Sequence, residues 1–308
     1  MPRLEHHLRR FFFDPAPAHW AVIIRVGFGL VLLCGTLAML PWWQELFGPE
    51  GLRGIESRVR LYGEGSIDTS VTGWLRLDPV RSPAVMWAVF AASTFTAACF
   101  TVGFWTRTAG VLAVLLHIAL LARHGQVFNG GWPFMLHQFM AYLVLADCGR
   151  YASVDAWLRL RKEGSTDPWS TVGMGSGWPR RLLMVHLTTL YATAGLHRFT
   201  DAGWMEGSMV FVAMTYTMYG RFPDVTWFEW KPLLQAANYI TVLLEPAAVV
   251  LLWVPRARAV IILLLLALHG GLELTSRTGW WQYVMSITLL VFVEPRWLKQ
   301  QWDRRVGT

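Results

Sequence analysis

The feature that most constrains this chain is a series of apolar runs, several approaching twenty residues, separated by short segments that carry its arginines. A run of about 20 apolar residues spans the ~30 Å hydrocarbon core of a bilayer as a helix. Inside that core every backbone polar group must be satisfied within its own segment, so repeated apolar runs predict helices. Eight such spans are predicted: Trp20–Leu40, Ala84–Phe104, Ala109–Leu121, Pro133–Ala146, Arg181–Leu196, Leu233–Val254, Ala259–Leu272 and Trp281–Val293. Hydrophobic side chains make up 54% of the 308 residues and charged ones 15%, and the 18 tryptophans crowd the ends of the runs as an interfacial belt does. The expected fold is all-α: a polytopic integral membrane helical bundle of about eight transmembrane helices.

Charge sets the expected orientation. With the N-terminus inside and eight crossings, the inner segments hold Arg3, Arg9 and Arg10; Arg107; Arg150, Arg159, Arg161, Lys162 and Arg180; Arg256 and Arg258; and Arg296, Lys299, Arg304 and Arg305. Every inner segment is then basic, as the positive-inside bias requires. Gly207–Tyr219, GSMVFVAMTYTMY, is apolar but short. A ninth crossing there would invert the later clusters, so a re-entrant or interfacial segment is expected, with both termini cytoplasmic. Against this stand Arg53, Arg58, Arg60, Arg76 and Arg81 in the outer loop Pro41–Ser82, which six carboxylates offset. The chain divides into a cytoplasmic amphipathic N-terminal segment (1–19), one membrane domain (20–297) and a cytoplasmic tail (298–308). Arg159–Pro179 reads as a Gly/Ser/Pro-rich linker.

The net charge of +7 is dispersed between apolar runs and forms no contiguous basic face, which argues against nucleic acid as a partner and for the lipid bilayer. Cys34, Cys99 and Cys148 sit in or at the end of apolar runs and make no disulfide framework. The opening residues lack an apolar core and a small-residue cleavage site, so no cleaved signal peptide is expected, and Trp20–Leu40 should itself direct membrane insertion.

Ionisable groups inside spans are costly and mark structure or function. Arg25 lies about a turn inside the first span, where its stem can snorkel to the inner face. His117, His137 and His186 fall on separate spans with no paired metal-ligand spacing and read as interhelical hydrogen-bonding groups; no metal is expected. Glu245 sits mid-span before Pro246, and either a structural partner such as an arginine or histidine across the bundle or a proton-handling role accounts for it. His269 and Glu273 are spaced i,i+4 and share a face, so the carboxylate can orient the ring. Gly270 and Gly271 beside them permit close approach of a helix or a flat ligand. His197–Arg198 and the Asn129-Gly130-Gly131-Trp132 turn fall on the same outer side as His269, which predicts an outward polar cavity.

FNGGWPFMLHQFMAYLVLADCGRYASVDAW, AGLHRFTDAGWMEGSMV and LHGGLELTSRTGWWQYVM resemble, in that order, segments of the membrane domain of vitamin K-dependent gamma-carboxylase and its bacterial relatives, the horizontally transferred transmembrane (HTTM) proteins. The likeness runs from about Trp20 to Trp297. It implies an integral protein of a bacterial inner membrane, with reduced vitamin K or another quinol as cofactor. In the carboxylase, a lysine of an A-G-x-K-K segment deprotonates the reduced vitamin and a later histidine assists. His269 corresponds to that histidine, Trp204 and Gly207 to a tryptophan and a glycine of the motif, and His197 and Arg198 to the two lysines.

A guanidinium stays protonated and cannot act as a general base, so Arg198 suits clamping an anionic oxygen, whereas His197 can exchange protons near neutrality. Adjacent residues diverge by about 100° on a helix, so both face one pocket only where the helix unwinds. The resemblance therefore implies a membrane enzyme performing proton abstraction or oxidation. Its catalytic candidates are His197, Arg198, His269 and Glu273, and Asn129, Gly130, Gly131, Trp132, Trp204 and Gly270 would contact the quinone or lipid ligand. The carboxylase carries a large lumenal domain after its bundle and this sequence ends at Thr308, so propeptide-directed glutamate carboxylation is not expected. The alternative is a non-catalytic membrane partner in maturation or export of a secreted peptide, with a secreted peptide or membrane protein bound and the polar groups satisfying one another.

Overall fold

The computed structural model of the chain describes residues 2–52, 54–66, 68–123, 130–164, 173–216, 219–222 and 225–306, with side chains at 2–4, 58, 227–228, 295, 302 and 306 excepted. It is all-α and 77% helical. In chain order the elements are α1 (Pro2–Phe13), β1 (Ala16–Pro17), α2 (His19–Ala38), α3 (Trp43–Phe47), α4 (Ile55–Tyr62), α5 (Val71–Leu75), α6 (Pro83–Val102), α7 (Thr106–Arg123), α8 (Trp132–Leu145) and α9 (Val154–Lys162). There follow β2 (Met174–Gly175), α10 (Trp178–Thr200), α11 (Ala202–Met205), α12 (Met209–Thr215), α13 (Lys231–Leu251), α14 (Pro255–Thr275), α15 (Trp281–Leu289) and α16 (Pro295–Val306).

Among the described residues five helical stretches are long and apolar enough to cross a membrane: His19–Phe47, Pro83–Val102, Thr106–Arg123, Lys231–Leu251 and Pro255–Thr275. The chain is an integral membrane protein. The three other expected spans form helices that differ from these for physical reasons. The 14 residues of α8 rise only about 21 Å at 1.5 Å each. Trp281–Phe292 is a shorter apolar helix. The 23 residues of α10 are long enough, but Arg180, Arg181, His186, His197 and Arg198 dilute their apolarity. The seven residues of α12 rise about 10 Å, too little for a crossing.

The chain divides into two compact units. One comprises Ala16–Gly175 and Lys299–Thr308. Here α2 packs on α6 and α8, and α7 on α6 and α8. Ile24 and Phe28 of α2, Phe100 of α6, Leu120 of α7, and Leu136, Phe139 and Leu143 of α8 are fully buried. The Phe28 and Phe139 rings stack with centroids 6.2 Å apart. At Gly29 a Cβ would lie 2.3 Å from Thr101 Oγ1, so the absence of a side chain sets the spacing of α2 and α6. The two residues of β1 pair antiparallel with β2.

Arg25 departs from the snorkelling expected of it. Its side chain is 1% exposed, and Nη1 donates to the Cys148 carbonyl at 2.7 Å while Nη2 donates to that of Ala152 at 2.7 Å. The guanidinium thus satisfies carbonyls left over where the chain turns between α8 and α9, a buried role that periodicity cannot reveal. His117 and His137 meet expectation as interhelical groups, with Nδ1 of one 2.7 Å from Nε2 of the other. All three cysteines are free thiols.

In the segment between α2 and α6, Asp68 accepts a hydrogen bond from the Ser70 amide at 2.9 Å and pairs with Arg76. The Ser70 hydroxyl and amide, ahead of Arg76, hold its carboxyl down from 3.8 to about 2. A carboxyl lowered in the folded state adds stability fully present above its unfolded value of 3.8 and lost as pH falls through about 2. An NMR titration of Asp68 should therefore show a midpoint near 2; a midpoint near 3.8 would mean that these bonds do not form.

The other unit comprises Met1–Pro15 and Ser176–Leu298. α10 and α14 both pack on α13, α15 packs on α14 and α10, and α1 lies along α10. Leu183 and Leu187 of α10, Ala248 of α13, Leu265 of α14 and Leu289 of α15 are fully buried. Phe11 of the amphipathic α1 takes the Arg181 guanidinium over its ring at 4.9 Å and meets Trp253 at 5.7 Å. The linker Arg159–Pro179 is described except for 165–172, which lie outside the described residues.

Candidate functional site

The site grows out of one close helix contact. A Cβ on Gly195 would lie 2.6 Å from Pro246 Cγ, so α10 and α13 approach where one has no side chain and the other carries a proline. Glu245 precedes that proline and Arg198 lies three residues beyond the glycine. The two meet in an ion pair, Arg198 Nη1 donating to Glu245 Oε2, with side chains 16% and 6% exposed. The guanidinium carbon lies 4.6 Å from the centroid of the Trp204 ring, a cation–π contact that caps the pair. Asp201 fixes Trp204 by accepting from its amide at 3.1 Å as the N-cap of α11. This contact makes a direct prediction. Gly195→Ala should destabilise the protein by about 1–3 kcal/mol through overpacking. Gly270→Ala meets nothing within 4 Å and should be neutral or mildly stabilising; equal effects in thermal unfolding would remove the contact from the account.

Two turns earlier on the same face of α10, the Tyr191 hydroxyl lies 3.1 Å from His269 Nε2. His269 Nδ1 lies 2.6 Å from Gln282 Oε1, and Gln282 Nε2 donates to Thr278 Oγ1 at 3.1 Å. An amide oxygen only accepts, so Nδ1 carries the proton and a neutral ring receives the tyrosine O–H at Nε2. Tyr191 and His269 are 1% and 3% exposed.

On α13, Asn238 stands two turns before Glu245 on the same face. Its Nδ2 donates to the Trp204 carbonyl at 2.8 Å, while its Oδ1 is buried with no partner. Arg198 Nε is likewise buried without an acceptor. Asn238 on α13 thus carries one unpaired acceptor and Arg198 on α10 one unpaired donor, each in a side chain that contacts Trp204.

Three expectations are corrected. Glu273 does not orient His269; it pairs with Arg221, whose Nη2 also reaches the Glu273 and Ser276 carbonyls at 2.9 and 3.2 Å. A guanidinium that satisfies the carboxylate together with the last carbonyls of α14 outcompetes a ring already held by Tyr191 and Gln282. His197 does not share a pocket with Arg198, because α10 stays helical to Thr200 and turns the imidazole to the exposed side. Gly270 and Gly271 are exposed with open space where a Cβ would be, so neither mediates a close helix approach.

Glu245, with two roles open in the sequence, has an arginine across the bundle as its partner. Gly130, Gly131 and Trp132 belong to the Ala16–Gly175 unit. Gly130 takes φ +87°, Gly131 caps α8, and Trp132 is buried 5.4 Å from the His117 ring. Asn129 lies outside the described residues. Among the described residues no group of three or more His, Cys, Asp or Glu side chains is placed to hold a metal ion. Tyr191, Asn238, Gln282 and Arg221 were missed by sequence reasoning; the i,i+7 spacing of Tyr191 with Arg198 and of Asn238 with Glu245 was the available signal.

Comparison with known families adds the decisive observation: the HTTM domain matches residues 13–297. The chain belongs to the HTTM family. That family is related to the gamma-carboxylase membrane domain, and the match takes in every element from α2 to α15. No curated protein and no solved structure matches the HTTM chain. Within it, His269 of one segment singled out in the sequence hydrogen-bonds Tyr191 of α10, the helix that also carries Arg198 of another.

Proposed function

We propose that this HTTM protein is a membrane enzyme that binds a quinol- or lipid-like cofactor between α10, α13 and the Trp204 segment and carries out proton abstraction or oxidation. The observation that supports it is two buried, unpartnered atoms, Asn238 Oδ1 on α13 and Arg198 Nε on α10, in side chains that both contact Trp204. Unpaired polar atoms in a buried site cost about 1–3 kcal/mol each, and a ligand with a hydroxyl and a second oxygen removes both penalties.

A reduced quinone, when bound, supplies a weakly acidic hydroxyl and two electrons. Asn238 Oδ1 would accept from that hydroxyl, Trp204 would offer a ring face, and Arg198 would hold an anionic oxygen through Nε, its guanidinium fixed by Glu245. The Tyr191 hydroxyl donates to His269 Nε2 and holds that ring in place behind the site. Gln282 keeps Nδ1 protonated and thereby keeps Nε2 the basic nitrogen. Arg198 stands where the carboxylase has a lysine and cannot be the base, so glutamate carboxylation is not the reaction we assign. The reading goes with eight crossings, α12 at the outer interface, cytoplasmic termini and a bacterial inner membrane.

Equilibrium dialysis of reduced menadione against the protein in nanodiscs tests the site. Saturable binding weakened about tenfold by Asn238→Leu is expected from the loss of one buried hydrogen bond. Equal binding by wild type and variant would contradict it. A second reading, a non-catalytic membrane partner in maturation or export of a secreted peptide, is favoured by one observation: Arg198 with Glu245, Arg221 with Glu273 and His269 with Gln282 largely satisfy one another. It expects no menadione binding and stable copurification of a peptide or membrane protein.

A further inference from the structure

The Ala16–Gly175 unit contains a cavity that the proposed chemistry does not use. It measures about 650 Å³ and lies where α2 begins, α6 ends and α9 starts, with Val22 and Val26, Val102, and Val154 and Trp157 among its walls. Its lining is almost wholly apolar, and Arg25 belongs to the wall. The walls are fixed. Asp155 of α9 accepts from the Trp105 and Thr106 amides at 2.8 Å each and from the Thr106 hydroxyl at 2.7 Å, tying α9 to the turn between α6 and α7. Ser153 caps α9, accepting from the Ala156 amide at 2.9 Å.

Chemistry at the mouth changes abruptly. Trp157 and Leu158 are exposed apolar groups on an amphipathic helix whose last turn carries Arg159, Arg161 and Lys162. The Arg161 guanidinium lies 5.4 Å from the centroid of the same Trp157 ring that walls the cavity. Arg25 spends both terminal nitrogens on the Cys148 and Ala152 carbonyls, and its buried Nε has no acceptor. An apolar volume of this size suits a ligand's hydrocarbon part, one spare donor suits an ester carbonyl, and exposed cations at the rim suit a phosphate.

We infer that this cavity holds an acyl chain of an anionic membrane phospholipid, with the headgroup phosphate against Arg161 and Lys162 and an ester carbonyl accepting from Arg25 Nε. The inference rests on the integral membrane setting and not on the quinol reading. A zwitterionic headgroup carries the same phosphate but also a cation of its own, which Arg161 and Lys162 repel, so the pair favours a headgroup of net negative charge.

The test is native mass spectrometry of the full chain released from nanodiscs made of equal parts palmitoyl-oleoyl phosphatidylglycerol and phosphatidylcholine. Wild type is expected to retain phosphatidylglycerol preferentially. Val102→Trp, at a half-exposed wall position where the larger ring fills the cavity, should cut retention of both lipids about tenfold. Arg161→Gln with Lys162→Gln, at exposed positions, should remove a preference worth about fivefold per charge and leave retention of the acyl chain itself. Circular dichroism identical to wild type shows that the tryptophan variant is folded, and the glutamine variant reports on the headgroup alone. Equal retention of the two lipids by wild type, or unchanged retention by folded Val102→Trp, would overturn the inference.

Discussion

Arg198→Met should destabilise the protein by about 3–5 kcal/mol, because it strands a buried carboxylate. Glu245 is 6% exposed on its side chain and lies beside the close contact of Gly195 with Pro246. The double variant Arg198→Met with Glu245→Leu removes both charges and should recover most of the loss, since a buried pair is worth little more than apolar groups of the same volume. Denaturant unfolding in a fixed detergent, read by tryptophan fluorescence, gives both numbers. A single variant no less stable than the double would mean that Glu245 does not depend on Arg198.

The second large effect belongs to Arg25. Arg25→Met keeps much of the stem's volume but leaves the Cys148 and Ala152 carbonyls with no donor, each worth roughly 1–3 kcal/mol when buried and unsatisfied. The loss should appear locally as well as globally. Arg25 reaches the turn between α8 and α9 from more than 120 residues away in sequence and satisfies two of its carbonyls, so amide exchange should rise first around Cys148–Ala152. Unchanged exchange there, with wild-type stability, would show that the carbonyls find other partners.

The two arginines show what was legible in the chain and what was not. Helix existence followed from apolar run length, because lipid leaves the backbone few alternatives, and the five stretches both long and apolar enough to cross emerged where the runs predicted them. The weak cases were those in which polar groups interrupt a run: α10 is a continuous helix of 23 residues through His197 and Arg198, although that pair reads as a stop signal. Arg25 resembled an ordinary snorkelling residue because nothing local discloses that a turn 120 residues later has carbonyls to satisfy.

The same limit governed the site. His269 and Glu273 share a helical face, and spacing alone pairs them; the competing partners Tyr191, Gln282 and Arg221 come from α10, α15 and the segment after α12, which one-dimensional periodicity cannot bring together. Arg198 and Glu245 were each conspicuous as charges in apolar context. Their pairing required knowing that a glycine and a proline allow α10 and α13 to touch. Asn238, polar but uncharged in a mixed stretch, carried no comparable signal.

The most direct test of the central claim is to purify the protein in native-lipid nanodiscs, extract bound small molecules and identify them by mass spectrometry, with Arg198→Ala and His269→Ala alongside. A quinone or prenyl lipid is expected in wild type and is expected to be lost from both variants. Only bulk phospholipid, the same in all three, would contradict it and leave the protein-partner reading in its place.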